Sequence, residues 1–338
     1  MVRIGSFSRP RAVAVLAVAA ALLALAIVLA AGIGTLSIPP GTTLRAIAQG
    51  TLGHAALLEG EEAIVWKLRL PRVLMGVLVG ASLGTSGAAM QGLFRNPLAE
   101  PYLLGVASGA SFGATLAMTL PGSSPALVPL FAFGGAVGAV VITLALSRAG
   151  GRARMTSILL AGVVVGSILT SLTMFLMLRD EDRLRAVFSW TLGNLSLSSW
   201  VTLGRATPYA ASGMLLLYAF ARGLDALQLG EDTARTLGVN ARAVRIGVIV
   251  GASLATAAAV AFVGLIGFVG LVAPHVMRRL GAPDHRLLLP ASALGGAALL
   301  VVADLGARVA LRPAEIPIGV VTALLGGPFF LWLLRRQA

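Results

Sequence analysis

Few residues in this chain are spaced for covalent chemistry. The pentapeptide GASFG, Gly109 to Gly113, fits a nucleophile elbow, and His275 is the imidazole that would serve Ser111 as base. No strand precedes it, however, and no HExxH or paired carboxylates lie within an apolar run. In an apolar segment, glycine and serine at close spacing let helices approach one another, which is the reading preferred here. Nucleotide chemistry fails on one residue type. A P-loop lysine follows a glycine, whereas the single lysine, Lys67, follows Trp66. Any ATP hydrolysis driving this chain therefore belongs to another subunit. With no cysteine, neither thiolate metal sites nor disulfides are available. Arg72, Arg205, Asp304, Arg308 and Glu315 stand near the ends of apolar runs, and His275 lies within a short one. A proton-coupled carrier usually holds an acid or base at the membrane midplane, so that class loses weight. Sodium coupling through backbone carbonyls stays open.

The elements that must position these residues are set by solvent. Of 338 residues, 57% are hydrophobic and only 12% charged, against roughly a quarter charged in a soluble domain; mean hydropathy is +0.92. Such a chain lives in lipid, as an all-α polytopic membrane protein forming one domain over 1–338. Apolar runs near 12–34, 70–93, 102–120, 126–147, 156–178, 201–221, 246–264, 287–307 and 316–334 suit helices of roughly 20 residues each. With the shorter 266–280, which reads as a tight second leg or a re-entrant piece, they make about ten spans. The first run follows Arg3, Arg9 and Arg11 like a signal peptide, but no small-residue cleavage site followed by a soluble domain appears. It is read as a retained span.

A net charge of +13 invites a nucleic-acid reading, but the arginines are scattered between apolar runs and sort better by membrane side. With both termini cytoplasmic, the inner segments hold 16 of the 26 basic residues against five acids, and the outer segments ten against eight. Phe94–Pro101 is then a cytoplasmic turn, where two prolines stop the helix. Two loops stand out. Arg222–Arg245 is long, polar and cytoplasmic; it predicts two short helices stopped at Gly230 and Gly238, and a docking surface for a partner. Arg179–Trp200, with its charged start and amphipathic middle, predicts a helix lying at the outer interface, Trp190 and Trp200 at headgroup level.

Six blocks occur in an order that resembles the permease subunits of the type II, FecCD-like ABC importers for iron–siderophore, haem and cobalamin. They are Arg69–Ala110 (RLPRVLMGVLVGASLGTSGAAMQGLFRNPLAEPYLLGVASGA), WTLGNLS from Trp190, LGEDTARTLGV from Leu229, GFVGLVAPHVMRRLG from Gly267, DHRLLLP from Asp284 and EIPIGVVTALLGGPFFLWLL from Glu315. The resemblance covers nearly the whole chain.

It implies ten spans per subunit and a homodimer with the pathway along its two-fold axis. Two cytoplasmic ATPase subunits that bind ATP and magnesium, an extracytoplasmic binding protein and a cytoplasmic (inner) membrane location follow, with no cofactor or metal in this chain. In such permeases a turn like Asn96–Pro97–Leu98 and the start of the fifth span, here Thr156 and Ser157, narrow the cytoplasmic end of the pathway. The segment from Gly230 to Gly238, with Glu231, Asp232, Arg235 and Leu237, docks on the ATPase. Arg69, Arg72 and Arg308 match arginines that meet glutamates on the binding protein. No His/Met/Tyr cluster in the sequence demands haem, and Trp190–Gly193 looks closer to the siderophore/haem branch than to the cobalamin branch. Cobalamin and a stand-alone secondary transporter remain the alternatives.

Overall fold

The computed structural model describes residues 9–122, 124–148, 155–179 and 181–335. Arg3, Arg152, Arg154 and Arg336, four of the inner positive charges, lie outside them. The described residues fold into fifteen α-helices and no β-strand beyond one isolated bridge, Leu311 to Ala314. In chain order they are α1 (Arg9–Gly32), α2 (Pro40–Gln49), α3 (Gly60–Ile64), α4 (Leu70–Phe94), α5 (Val106–Thr119), α6 (Val128–Arg148), α7 (Met155–Arg179) and α8 (Glu181–Thr191). They continue as α9 (Trp200–Ala219), α10 (Ala221–Gln228), α11 (Glu231–Thr236), α12 (Ala241–Val263), α13 (Val269–Arg279), α14 (His285–Val309) and α15 (Ile318–Arg335).

All ten predicted apolar runs are helical, but they are unequal. Six stretches are long and apolar enough to cross a membrane: Val13–Gly32, Gly60–Phe94, Pro125–Arg148, α7, α12 and α14. A seventh is possible if α9 and α10, bent by 45° at their junction, count as one. α5 has 14 residues and α13 has 11, about 21 and 17 Å at 1.5 Å per residue. Neither crosses a hydrocarbon core of about 30 Å alone. Among the described residues, six or seven helices are thus long enough to span, and the rest of the about ten expected segments, the short 266–280 piece included, are shorter apolar helices joined by irregular chain.

That irregular chain is covered by protein, as apolar surroundings demand. Between α12 and α13, Gly264 and Phe268 both have positive φ, 78° and 67°. The break is held from two sides, and the stretch that holds one of them is itself tied to α15. The Tyr102 hydroxyl donates to the Ile266 carbonyl (2.9 Å) and accepts its N–H (3.3 Å). The Asn194 N–H donates to Val263 O (2.7 Å), and the Gly319 N–H donates to Leu192 O (2.9 Å). The WTLGN stretch thereby supplies backbone partners to the end of α12 and the start of α15.

Helix starts are marked by side chains that accept otherwise orphaned amides. Ser199 and Thr202 form a reciprocal cap on α9, Asn240 caps α12 and Asp284 caps α14. Packing is by small residues. On antiparallel α4 and α14, a Cβ at Gly80 would lie 2.3 Å from Gly296 O, and one at Gly84 2.1 Å from Ser292 O. Gly109 of α5 and Gly135 of α6 abut each other's carbonyls in the same way. Bare backbones meet at both seams, as the glycine and serine content of the third run implied. Since Gly109–Gly113 is a packed helix face and the His275 ring stacks edge-on to Phe329, the hydrolase reading has no geometry.

Candidate functional site

The α4–α14 register places two polar clusters at opposite ends of one helix pair. With Gly80 against Gly296 and Gly84 against Ser292, Arg72 falls opposite Asp304, and Gly92 opposite His285.

At the first end, Asp304 is 2% exposed and ion-paired to two arginines: Arg72 Nη2 at 2.8 Å and Arg308 Nε at 3.0 Å. Arg72 reaches on to Glu315 (2.9 Å), whose side chain is 38% exposed. Arg308 also donates to Ala30 O and Ile33 O, and Arg69 to Ala31 O, Gly32 O and Leu36 O. Two buried guanidinium groups therefore cap the C-terminus of α1, where free carbonyls and the helix dipole favour positive charge. Arg69 and Arg308 are buried and engaged internally, while Arg72 sits at the edge beside Glu315. The i, i+3 spacing of Arg69 and Arg72, and the place of Arg308 near another span end, could not tell an internal staple from a docking patch.

At the other end, α4 stops at Arg95, a non-glycine residue in the left-handed region (φ 50°). Asn96, Pro97 and Leu98 follow as an exposed turn in which Asn96 Oδ1 accepts the Leu98 N–H (2.9 Å). Leu98 is 43% exposed. Thr156 and Ser157 open α7, one to two turns before Gly162, whose Cα packs on Leu103 O. Asn96–Leu98 lie at the start of segment 95–104, and α7, which Thr156 and Ser157 open, packs on the end of that segment at Gly162.

The 222–245 loop is built as the glycines implied. α10 and α11 are separated by Gly230 (φ 119°), and α11 ends at Gly238 (φ 74°). Leu229 and Leu237 are about 60% exposed, and Asp232 is fully exposed. Glu231 pairs with Arg235 (3.0 Å) and Arg245 (3.2 Å). An apolar tip on a salt-bridged frame is suited to a groove on another protein.

Between the two ends lies a cleft of about 680 Å³ formed by α5, α7 and α8. Its walls carry hydroxyls and thioethers: Ser108 and Ser111 from α5, Thr170, Met174 and Met177 from α7, and Thr191 at the end of α8. Tyr102 closes one side. The sequence reading missed this set, including the Tyr102, Met174 and Met177 grouping. The signal was available, because Ser167, Thr170, Met174 and Met177 recur at helical spacing. α8 is helical where the interfacial segment was expected; its Arg183 donates to the carbonyls of Met118 and Leu120 at the end of α5. Trp200 stacks on Trp66, ring centroids 4.8 Å apart.

A helical membrane body with an uncharged cleft and a protruding, apolar-tipped loop fits, and the comparisons that follow show, the permease subunit of an ABC importer, with ATP hydrolysis in a separate subunit. The chain belongs to the FecCD transport family, whose sequence model matches residues 22–336. It is 41% identical over 292 residues to the cobalamin import system permease BtuC of Halobacterium salinarum, covering 85% of this chain and 79% of that protein. It is also 41% identical over 281 residues to the hemin transport system permease HmuU of Yersinia pestis, covering 81% and 84%. Among solved structures, a metal-chelate type ABC transporter in an inward-facing conformation superposes with a TM-score of 0.82 at 29% identity, covering 96% of this chain and 99% of that one.

Proposed function

We propose that this permease imports an iron chelate, siderophore or haem, as a homodimer in the cytoplasmic membrane, both termini inside and ten helical segments per copy. The observation that carries this reading is the α5–α7–α8 cleft, which holds hydroxyls and thioethers without a fixed charge. Such walls bind a bulky chelate weakly, as a pathway must if its cargo is to leave. α7 is mostly exposed in the single chain, with 22% of its apolar window buried, which suits a face completed by a second copy. Asn96–Leu98 with Thr156 and Ser157 narrow the inner end, and the Gly230–Gly238 segment docks on the ATPase. The binding protein approaches the outer rim at Arg72, with Arg69 and Arg308 supporting that rim from beneath.

Cobalamin is the second reading, supported by the similarity to the cobalamin permease, which equals that to the hemin permease in identity. Ligand binding by the partner binding protein separates the two. Tight binding of haem or ferric siderophores, with cyanocobalamin ignored, is the expected result. Selective cyanocobalamin binding replaces it with the second reading.

A further inference from the structure

The DHRLLLP block has no part in the cleft, the rim or the docking tip, yet it holds the most enclosed ion-pairing group at the docking-loop end. His285, 1% exposed, opens α14. Asp225 of α10 meets it twice through one oxygen: Asp225 Oδ1 accepts the His285 backbone N–H at 2.9 Å and lies 2.6 Å from Nδ1. The opposite edge of the ring presses on α4. A Cβ at Gly92 would lie 2.2 Å from His285 Nε2, so only glycine fits there. Gly92 O in turn accepts the Arg95 N–H, and Arg95 swings back to donate from Nη2 to Leu227 O on α10. The chain path is therefore closed: α10 to His285 to Gly92 to Arg95 and back to α10. Asn96–Leu98 leaves that ring directly.

We infer that Asp225, His285 and Arg95 are positioning residues that carry movement of the docking loop to the Asn96–Leu98 turn. The inference rests on the reading of the 222–245 loop as the ATPase dock. A displaced α10 pulls α4 at two points, the guanidinium on Leu227 O and the imidazole wedged against Gly92. Because both points sit in the last turn of α4, the exposed turn beyond must follow. Apolar packing of α10 on α4, with Leu224 and Leu227 in one core cluster with Leu93, holds the two helices together, and these polar links tie α10 to the last turn itself.

The absence of native cysteine makes a direct test simple. Leu98→Cys is introduced into the full transporter with its ATPase, and labelling by a membrane-impermeant maleimide is followed without nucleotide and with ATP plus vanadate. The parent is expected to change its labelling rate between the two states. Arg95→Asn keeps a residue that tolerates the left-handed conformation but loses the reach to Leu227; His285→Asn, outside the docking loop, removes the ring that touches both Asp225 and Gly92. The double variant is expected to lose the nucleotide-dependent change while the ATPase still co-purifies and hydrolyses ATP, and Arg95→Lys to restore part of it in the single background. A nucleotide response of parental size in the double variant overturns the linkage. A parent whose labelling ignores nucleotide, or an ATPase that co-purifies equally with a Gly238→Trp chain, overturns the docking reading instead.

Discussion

Asp304 shows how one carboxylate can organise an end of the bundle. It balances Arg72 and Arg308 while buried, so its removal leaves guanidinium charge without a counter-ion in a site closed to water. Breaking a buried pair in this way costs about 3–5 kcal/mol, and Asp304→Asn is expected to lower the thermal unfolding midpoint of the purified chain sharply. Glu315→Gln, on the exposed arm of the same cluster, should cost about 0–1 kcal/mol. Equal effects in the two variants would contradict the assignment. Glu100 behaves differently. Burial raises its pKa from an ordinary 4.5 to about 7, against the Phe268 amide that bonds its carboxylate. The folded protein thus keeps this proton to higher pH than the unfolded chain does. Its contribution to stability is complete below about pH 4.5 and is lost as pH rises to about 7. Glu100→Gln should flatten that slope and stabilise the protein at pH 8 by about 3 kcal/mol, read by denaturant unfolding in detergent at several pH values.

Among the elements, those stated by local rules were legible and those set by neighbours were not. Gly230 and Gly238 announced α10 and α11, and Pro97 and Pro101 announced the break after α4, because glycine and proline act on their own backbone. What holds the chain between α12 and α13 was hidden. α5 is bounded by Gly105, at φ 83°, and by Pro121–Gly122, whereas the break before α13 is held by Tyr102 and Asn194, partners from far along the sequence. The same limit applies to the arginines, since only the fold reveals that the end of α1 lies against Arg69 and Arg308. A glycine rule also gives a test at this scale. Gly238 has φ 74° with open space around it, so Gly238→Trp strains the end of α11 and adds bulk to the tip while leaving the core untouched. Membrane insertion is expected to be normal, with ATPase co-purification lost. Normal co-purification would remove the docking role.

At the scale of the molecule, the chain is a passive body with an engine elsewhere. Glycine seams hold α4 to α14 and α5 to α6 at backbone contact, and the uncharged cleft lies beside α7, which with α1 is among the most open of the long helices. Nothing in this arrangement supplies energy, which is why the rival class, a stand-alone carrier driven by an ion gradient, is the sharpest contrast. The decisive measurement is uptake into proteoliposomes of haem, of ferric siderophores and of cyanocobalamin, compared for the chain alone and for the chain with its ATPase and binding protein, under ATP or under a sodium or proton gradient. The account predicts that one of these cargoes accumulates only with all partners present and ATP on the ATPase side, and that the chain alone neither hydrolyses ATP nor moves cargo. Uptake by the chain alone, driven by an ion gradient and indifferent to ATP, would contradict it.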